Sequence, residues 1–235
     1  MTLNKFLLGL IASFGIAWLA VVVVPFFKMR AIEPIVVNDP VAGTTEVFIP
    51  KRAGRITDGS QVYAANGCYL CHTQVVRPTY AGNDLFRPDW GGLAQDEVRG
   101  DTRRETNAFD FMGERFAHIG VMRFGPDLSN VGNRIIHDYA KDADPEMWLY
   151  QFLHNPRAEA GRRHSKCPSH RFLFTERPLR GQRSRHALPA GDNPDVEILP
   201  TPAARALVSY LLSLRKDQPV PEPLNFKPVA RSNDG

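Results

Sequence analysis

Hydrophobic residues are concentrated at the N-terminal end of the chain, where residues 6–27 form a run of 22 residues without a formal charge. A helix of that length spans about 33 Å, which matches a membrane hydrocarbon core of about 30 Å. A cleaved signal peptide would have a shorter apolar region and a small-residue cleavage site, and no such site follows this run closely. The pattern therefore predicts a single uncleaved transmembrane anchor over residues 1–30.

Beyond the anchor, short amphipathic segments alternate with segments rich in proline and glycine. Residues 31–57 contain three prolines and are predicted to form an extended connector, with short strands at 35–37 and 45–49. Residues 73–125 show little periodicity and predict a loop-rich insert. Four prolines make residues 217–235 a proline-rich tail, so the predicted folded domain is residues 58–216.

Three segments of this domain carry the signals of amphipathic helices. Asp58 or Ser60 provides a cap for the first, and Pro145 suits the first turn of the second. Apolar residues recur at helical spacing along the third, which ends in a basic pair. The predicted helices are residues 58–66, 144–153 and 201–215. Together they predict a mainly α fold.

The charge balance narrows the classes of protein that the chain can belong to. There are 29 Lys and Arg residues against 25 Asp and Glu, a formal net charge of +4, which argues against a dedicated nucleic-acid binder. Residues 157–186 are locally basic, with nine Lys and Arg residues and two acidic residues. Such a stretch is either a solvated loop or a docking surface for an acidic partner or anionic lipid headgroups.

Cys68, Cys71 and His72 form the pattern C-x-x-C-H, the attachment signature of a c-type haem. Two thiols at this spacing can each form a thioether with one of the two vinyl groups of a porphyrin, and the next residue brings an imidazole to the iron. A thioredoxin-type site uses no following histidine, and a zinc site would need a second pair of ligands nearby. We therefore expect one covalently bound haem c with His72 as the proximal iron ligand.

Around this motif the chain resembles the class I c-type cytochromes, over about residues 58–215. Residues 125–134 (Gly-Pro-Asp-Leu-Ser-Asn-Val-Gly-Asn-Arg) resemble the loop that packs against the proximal histidine in those proteins, and residues 207–214 resemble their C-terminal helix. The resemblance implies a class I cytochrome c-like domain in which the Pro126 carbonyl accepts a hydrogen bond from His72. Such a bond fixes the tautomer of the imidazole and strengthens it as a ligand.

Three further features resemble the mono-haem subunit of cbb3-type cytochrome c oxidases. They are the N-terminal helix, the continuation of the haem motif into residues 73–78 (Thr-Gln-Val-Val-Arg-Pro), and the long insert before residue 125. The resemblance implies that Gln74 and Arg77 contact either the catalytic subunit or a haem propionate. Arg77 suits a propionate because a guanidinium binds a carboxylate with two parallel hydrogen bonds.

The sixth ligand of the iron is less clearly marked. The resemblance implies a distal methionine in a Ser-x-Met-Pro segment, and here residues 165–168 read Ser-Lys-Cys-Pro, with Cys167 at the methionine position. Cysteine sulfur is also a soft ligand, and an anionic thiolate would lower the reduction potential, whereas Met/His ligation raises it. His170, His164 and Met122 are the alternative distal ligands.

The predicted function is electron transfer. No nucleophile and base accompany the haem motif, so we expect no bond-making chemistry on this chain. The resemblance implies that it relays single electrons to a membrane-embedded, oxygen-reducing subunit and receives them from other c-type cytochromes. By the same resemblance, haem is attached outside the bacterial inner membrane, with residues 31–235 in the periplasm. The alternatives are the mono-haem subunit of a nitric oxide reductase, which the Arg77-Pro78 continuation suits less well, and a haem-based sensor or binding protein.

Overall fold

The computed structural model describes residues 2–31, 36–39, 44–47, 53–140, 143–188, 193, 195–217 and 220. Within these residues the fold is largely helical, with one long apolar helix at the N-terminus and two short two-stranded sheets. Nearly all of the predicted proline-rich tail (217–235) and about half of the predicted connector lie outside the described residues.

The N-terminal helix, α1 (Leu3–Arg30), is 28 residues long, about 42 Å at 1.5 Å per residue, and buries none of its side chains. Its helical geometry widens to a π turn at Leu19–Val23, just before Pro25. Proline lacks an N–H, and its ring clashes with the carbonyl four residues earlier, so the wider turn accommodates it without ending the helix. An apolar helix of this length with no cover inside the structure is long enough to cross a membrane.

Both predicted strands of the connector are present, with bounds shifted by one or two residues. They are β1 (Val36–Asp39) and β2 (Thr44–Val47), which pair antiparallel with Val36 opposite Val47.

The first helix of the folded domain, α2 (Gly54–Ala65), begins four residues before its predicted start. The predicted cap at Asp58 or Ser60 is therefore wrong, because both residues lie inside the helix. Ala53 occupies the cap position without a side-chain hydrogen bond. Tertiary packing replaces the cap, since Ile56 in the first turn packs against the core.

The remaining helices and strands follow the haem motif. Their bounds are α3 (Cys68–Cys71), α4 (Val131–Arg134) with a π turn at Ile135–Tyr139, α5 (Pro145–His154), β3 (Phe174–Pro178), β4 (Val196–Pro200) and α6 (Pro202–Ser213). Strands β3 and β4 pair antiparallel with Phe174 opposite Pro200. Short 3-10 turns lie at Asp84–Phe86, Ala108–Phe111, Ala160–Arg162 and Arg171–Leu173.

The two predicted C-terminal helices, α5 and α6, are present because their caps are local. The Asp144 side chain accepts a hydrogen bond from Glu146 N at 2.9 Å, and Thr201 Oγ1 accepts one from Ala204 N at 3.3 Å. Helix α6 ends two residues short of its predicted end. Leu214 leaves the helical conformation, and its carbonyl accepts a hydrogen bond from Gly132 N of α4 at 3.0 Å.

The core of the domain lies between α2, α5 and α6. Tyr63, Leu207 and Tyr210 are fully buried within it. At Gly59 the backbones of α2 and α6 touch, because a Cβ placed there would lie 2.0 Å from the Ala206 carbonyl oxygen and 2.6 Å from Tyr210 Cβ.

The insert is loop-rich, as predicted, and buried ion pairs fix much of it. The Lys216 ammonium is 3% exposed and contacts Asp110 Oδ2 at 2.6 Å, Thr106 Oγ1 at 3.1 Å and the Glu105 carbonyl at 3.2 Å. Arg104 pairs with the same Asp110 at 2.6 Å. These bonds tie the end of the last helix to the insert.

Gly59→Ala should destabilise the domain by more than the 1–3 kcal/mol typical of core overpacking, because backbone atoms rather than flexible side chains would have to move. The measurement is the thermal unfolding of the full chain in detergent. Gly54→Ala in the same helix is the matched control, because a Cβ there meets nothing within 4 Å. Equal melting temperatures for the two variants would contradict the close contact of α2 and α6.

Burial lowers the pKa of Lys216 from 10.5 to about 8, although Asp110 opposes the shift. Between pH 8 and 10 the unfolded chain therefore binds more protons than the folded chain, and folding becomes more favourable as the pH rises. Lys216→Met should remove this increase in the free energy of unfolding with pH, which is at most about 3 kcal/mol. Melting temperatures of the wild type and the variant across this pH range test it, and parallel curves would refute it.

Candidate functional site

The C-x-x-C-H segment forms the single helical turn α3, followed by His72 in an extended conformation. Residues three apart share one face of a helix, so Cys68 and Cys71 lie on the same side of α3. Cys68 is half-buried and Cys71 is exposed. Burial, with charge repulsion from Cys167 as the second cause, raises the pKa of Cys68 to about 12.

His72 is oriented by the loop that the sequence predicts. Its Nδ1–H donates to the Pro126 carbonyl oxygen at 2.8 Å, which is the contact that the family resemblance implies. Because Nδ1 carries the proton, Nε2 keeps the lone pair that a metal ion requires. Burial lowers the pKa of His72, which also favours the neutral imidazole.

The chain between residues 119 and 128 runs alongside the haem motif and is hydrogen-bonded to it. Val121 N bonds to the Tyr69 carbonyl and Gly125 N to the Cys71 carbonyl, each at 2.9 Å. Gly125 is the tightest point, because a Cβ there would lie 2.1 Å from His72 Cε1. Only a glycine leaves room for the imidazole in this position.

Cys167 is electrostatically coupled to Cys68 and Cys71, although it is far from them in sequence. The charge of its thiolate form influences the pKa of Cys68, and the charge of Cys71 influences that of Cys167. Its loop is held by Arg157, whose Nη1 donates to the Ser165 and Cys167 carbonyls, each at 3.0 Å. Burial raises the pKa of the half-buried Cys167 thiol.

The three alternative distal ligands occupy different surroundings. His170 is buried, with its ring 5.7 Å from the Phe172 ring and its Nδ1 without a hydrogen-bond partner among the described residues. His164 is exposed. Met122 is 44% exposed and belongs to the segment that packs against His72, which places it beside the proximal ligand.

Gln74 and Arg77 are engaged inside the chain. Gln74 is buried, and its Nε2 donates to Tyr210 Oη at 3.0 Å, so its amide faces the core rather than a partner surface. Arg77 donates to Asp84 from Nε at 3.0 Å and from Nη2 at 2.8 Å. The Arg77 guanidinium, which would suit a propionate, therefore binds the Asp84 carboxylate of this chain. The Arg77 side chain nevertheless remains 40% exposed.

Arg134 is a candidate that sequence reasoning missed. It is 2% exposed, it donates to the Asp127 and Asp89 carbonyls, and its charge contributes to the lowered pKa of His72. Its Nε is buried without a hydrogen-bond partner among the described residues. A carboxylate group of a ligand would satisfy this atom. In the sequence Arg134 is only the last residue of the proximal loop, and its burial depends on the fold.

Several side chains of the basic stretch at residues 157–186 make contacts within the chain, although Arg157 and Arg177 among them are exposed. Arg157 holds the Cys167 loop, Arg177 pairs with Glu197 at 2.7 Å, and Arg162 lies over the Tyr139 ring at 4.3 Å. The exposed cations nearest to Cys167 in the sequence are Arg163, Lys166 and Arg171. Part of the stretch is thus held by contacts within the chain, and the three exposed cations Arg163, Lys166 and Arg171 are called the exposed basic rim below.

These residues fit a haem attached through one short helical turn. Two thiols share one face, an oriented imidazole follows them, and the close approach at Gly125 leaves no room for a side chain beside that imidazole. Arg134 adds a buried Nε donor with no hydrogen-bond partner among the described residues, and Cys167 adds a third sulfur that is electrostatically coupled to Cys68. The arrangement fits a mono-haem cytochrome with a single histidine following its attachment cysteines.

Comparison with known proteins agrees with this class. Residues 11–191, well over half of the chain, match the family described as cytochrome c oxidase, mono-haem subunit/FixO. The chain therefore belongs to the FixO family of mono-haem cytochrome c oxidase subunits, and its resemblance to the cbb3-type subunit is confirmed. No curated protein matches the chain. Membership in this family, together with α1, supports a membrane-anchored subunit of an oxidase complex with one haem.

Gly125→Ala should displace the His72 ring and lower the haem content, because the added methyl overlaps three ring atoms. The measurement is haem bound per chain, with the absorption spectrum of the bound fraction. Gly161→Ala is the matched control, because a Cβ there meets nothing within 4 Å. Normal haem content and an unchanged spectrum for Gly125→Ala would contradict the geometry.

Proposed function

We propose that this chain is an electron relay in which one haem c, held by Cys68, Cys71 and His72, passes single electrons to the oxygen-reducing subunit of the oxidase. The observation that carries the proposal is the 2.8 Å bond from His72 Nδ1 to the Pro126 carbonyl. It presents Nε2 as a ligand on the same short segment that bears the two thiols. Oxidase membership comes from the family, and the relay role is our inference from this site.

In this proposal each residue has a defined task. Cys68 and Cys71 form the two thioether bonds, His72 Nε2 binds the iron, and Pro126 holds the proton of His72 at Nδ1. Arg134 Nε donates to a haem propionate, with Arg77 as the second candidate for this contact. The haem supplies the one-electron change between ferric and ferrous iron, and the protein supplies orientation, burial and charge.

Cys167 is the proposed distal ligand. Its proximity to the attachment cysteines and the two bonds from Arg157 support this assignment, because they hold its loop near the place where the haem would be attached. Ferric iron would stabilise the thiolate despite the raised pKa of the free thiol. An anionic sulfur ligand favours ferric iron and so lowers the reduction potential.

The proposed topology places α1 across the bacterial inner membrane, with the haem domain on the periplasmic side, where c-type haem is attached. Its electron donors would be other c-type cytochromes, and its acceptor the membrane-embedded catalytic subunit. The exposed basic rim near Cys167 would favour an acidic donor.

The deciding experiment is purification of the complex from native membranes in mild detergent, followed by oxygen uptake with an artificial electron donor. Sustained uptake, with high-spin haem and copper in the same preparation and one covalent haem on this chain, is the expected result. Consumption of nitric oxide without oxygen uptake would instead indicate a nitric oxide reductase. Neither activity, with the chain isolated alone, would indicate a free carrier or a haem-based sensor.

Cys167→Ala should change the low-spin haem spectrum and raise the reduction potential, because the anionic ligand is lost. Cys167→Met should restore a low-spin spectrum at a potential above that of the wild type. Lys166→Ala, an adjacent exposed residue, is the control and should leave the spectrum unchanged. A wild-type spectrum in Cys167→Ala would exclude thiolate ligation and direct attention to His170.

A further inference from the structure

A network of charged side chains joins the insert to the segment that carries the haem ligand. At its centre is Arg123, whose side chain is 21% exposed. Its Nε donates to Thr73 Oγ1 at 2.8 Å, its Nη1 to Asp84 Oδ1 at 2.9 Å, and its Nη2 to the Val75 carbonyl at 2.5 Å. One guanidinium thus contacts both the residue that follows His72 and a carboxylate in the insert.

Asp127, which follows Pro126, forms a second connection beside the His72–Pro126 bond, to the residues that follow His72. Asp127 is fully buried and accepts hydrogen bonds from Thr73 Oγ1 at 2.5 Å and from Val75 N at 2.8 Å. Arg123 lies 3.5 Å from this carboxylate. His72 is therefore hydrogen-bonded to Pro126, and Thr73 is hydrogen-bonded to Asp127. Arg123 contacts both Thr73 and Asp127.

Asp84 anchors the other end of the network. It is fully buried and accepts hydrogen bonds from Arg77 N, Nε and Nη2 as well as from Arg123. Burial alone would raise the pKa of Asp84, and these hydrogen bonds outweigh burial, so its pKa lies well below the usual range. Two guanidinium groups face two carboxylates, and loss of one cation would leave buried negative charge unbalanced.

We propose that Arg123 is a positioning residue for the axial ligand: through Thr73 and Asp127 it holds the backbone on both sides of the His72 imidazole and so sets the orientation of the ring at the iron. The inference rests on the proposed haem c site. It gives the insert a role in tuning the haem, because both Arg123 and its partner Asp84 belong to the insert.

The chain provides a matched control for this role. Arg87 also lies over the Trp90 ring, at 4.4 Å, as Arg123 does at 5.5 Å. Among the described residues, the Arg87 side chain makes no hydrogen bond to Thr73, Asp84 or Asp127, and only its backbone N–H bonds to the Asp84 carbonyl, at 3.2 Å. Arg87→Gln therefore removes the same charge from the same ring without breaking the link to His72.

The experiment compares Arg123→Gln, Arg123→Lys and Arg87→Gln in the purified complex. The readouts are covalent haem per chain, the reduction potential, and the paramagnetic NMR shifts of the haem methyl groups, which report the orientation of the axial imidazole. Arg123→Gln should change the methyl shifts and lower the potential, because two carboxylates then face one guanidinium. Arg123→Lys keeps the charge, but its single nitrogen cannot occupy the separate positions from which Nε, Nη1 and Nη2 of Arg123 donate, so the potential should recover while the methyl shifts stay altered.

Arg87→Gln should match the wild type in haem content and methyl shifts. The inference is overturned if Arg123→Gln or Arg123→Lys shows wild-type methyl shifts, even when the potential moves, because the residue would then act through its charge alone. If Arg123→Gln does not retain haem, Arg123→Lys decides the question. A wild-type chain without covalent haem would overturn the proposed function instead.

Discussion

The hydrogen bond between His72 Nδ1 and the Pro126 carbonyl is the constraint around which the rest of the site is organised. It joins residues 54 positions apart, so the whole insert must leave the haem motif and return to it. On its return the chain passes so close to the imidazole that position 125 has no room for a side chain. The insert is thus a loop whose two ends are fixed at one histidine, His72.

Buried charge, more than apolar packing, determines how this loop is held. Asp84, Asp127 and Asp110 each lie against at least one arginine or lysine. Some partners are close in sequence, as Arg123 is to Asp127, and others are distant, as Lys216 is from Asp110. Charged groups are costly to remove from water, and such clusters persist when every member has a partner. These clusters fix the orientation of the insert, because hydrogen bonds from guanidinium groups are directional and hydrophobic contacts are not.

Sequence reasoning succeeded where the signal is local. The starts of α5 and α6 follow from Asp144 with Pro145 and from Thr201 with Pro202, and the C-x-x-C-H pattern identifies its own chemistry. It failed for α2, whose start is set by packing against α6 rather than by a capping side chain. The partners of Arg77, Arg123 and Arg134 were also beyond its reach, because a charged residue shows neither its burial nor its counter-ion in a one-dimensional pattern. Cys167 was found through family resemblance, and its proximity to Cys68 became visible only in three dimensions.

The close contact of α2 with α6 has a kinetic consequence. Gln74 and Tyr210, which bond to each other beside this contact, are 136 residues apart in the chain. Closing a loop of that size is entropically expensive, and folds that depend on such distant contacts form slowly. The first helix of the domain therefore reaches its final packing only after the last helix has been synthesised. Until then the segment that bears Cys68 and Cys71 lacks its final packing, and in the proposed haem c site this interval would be the time in which the cofactor enters.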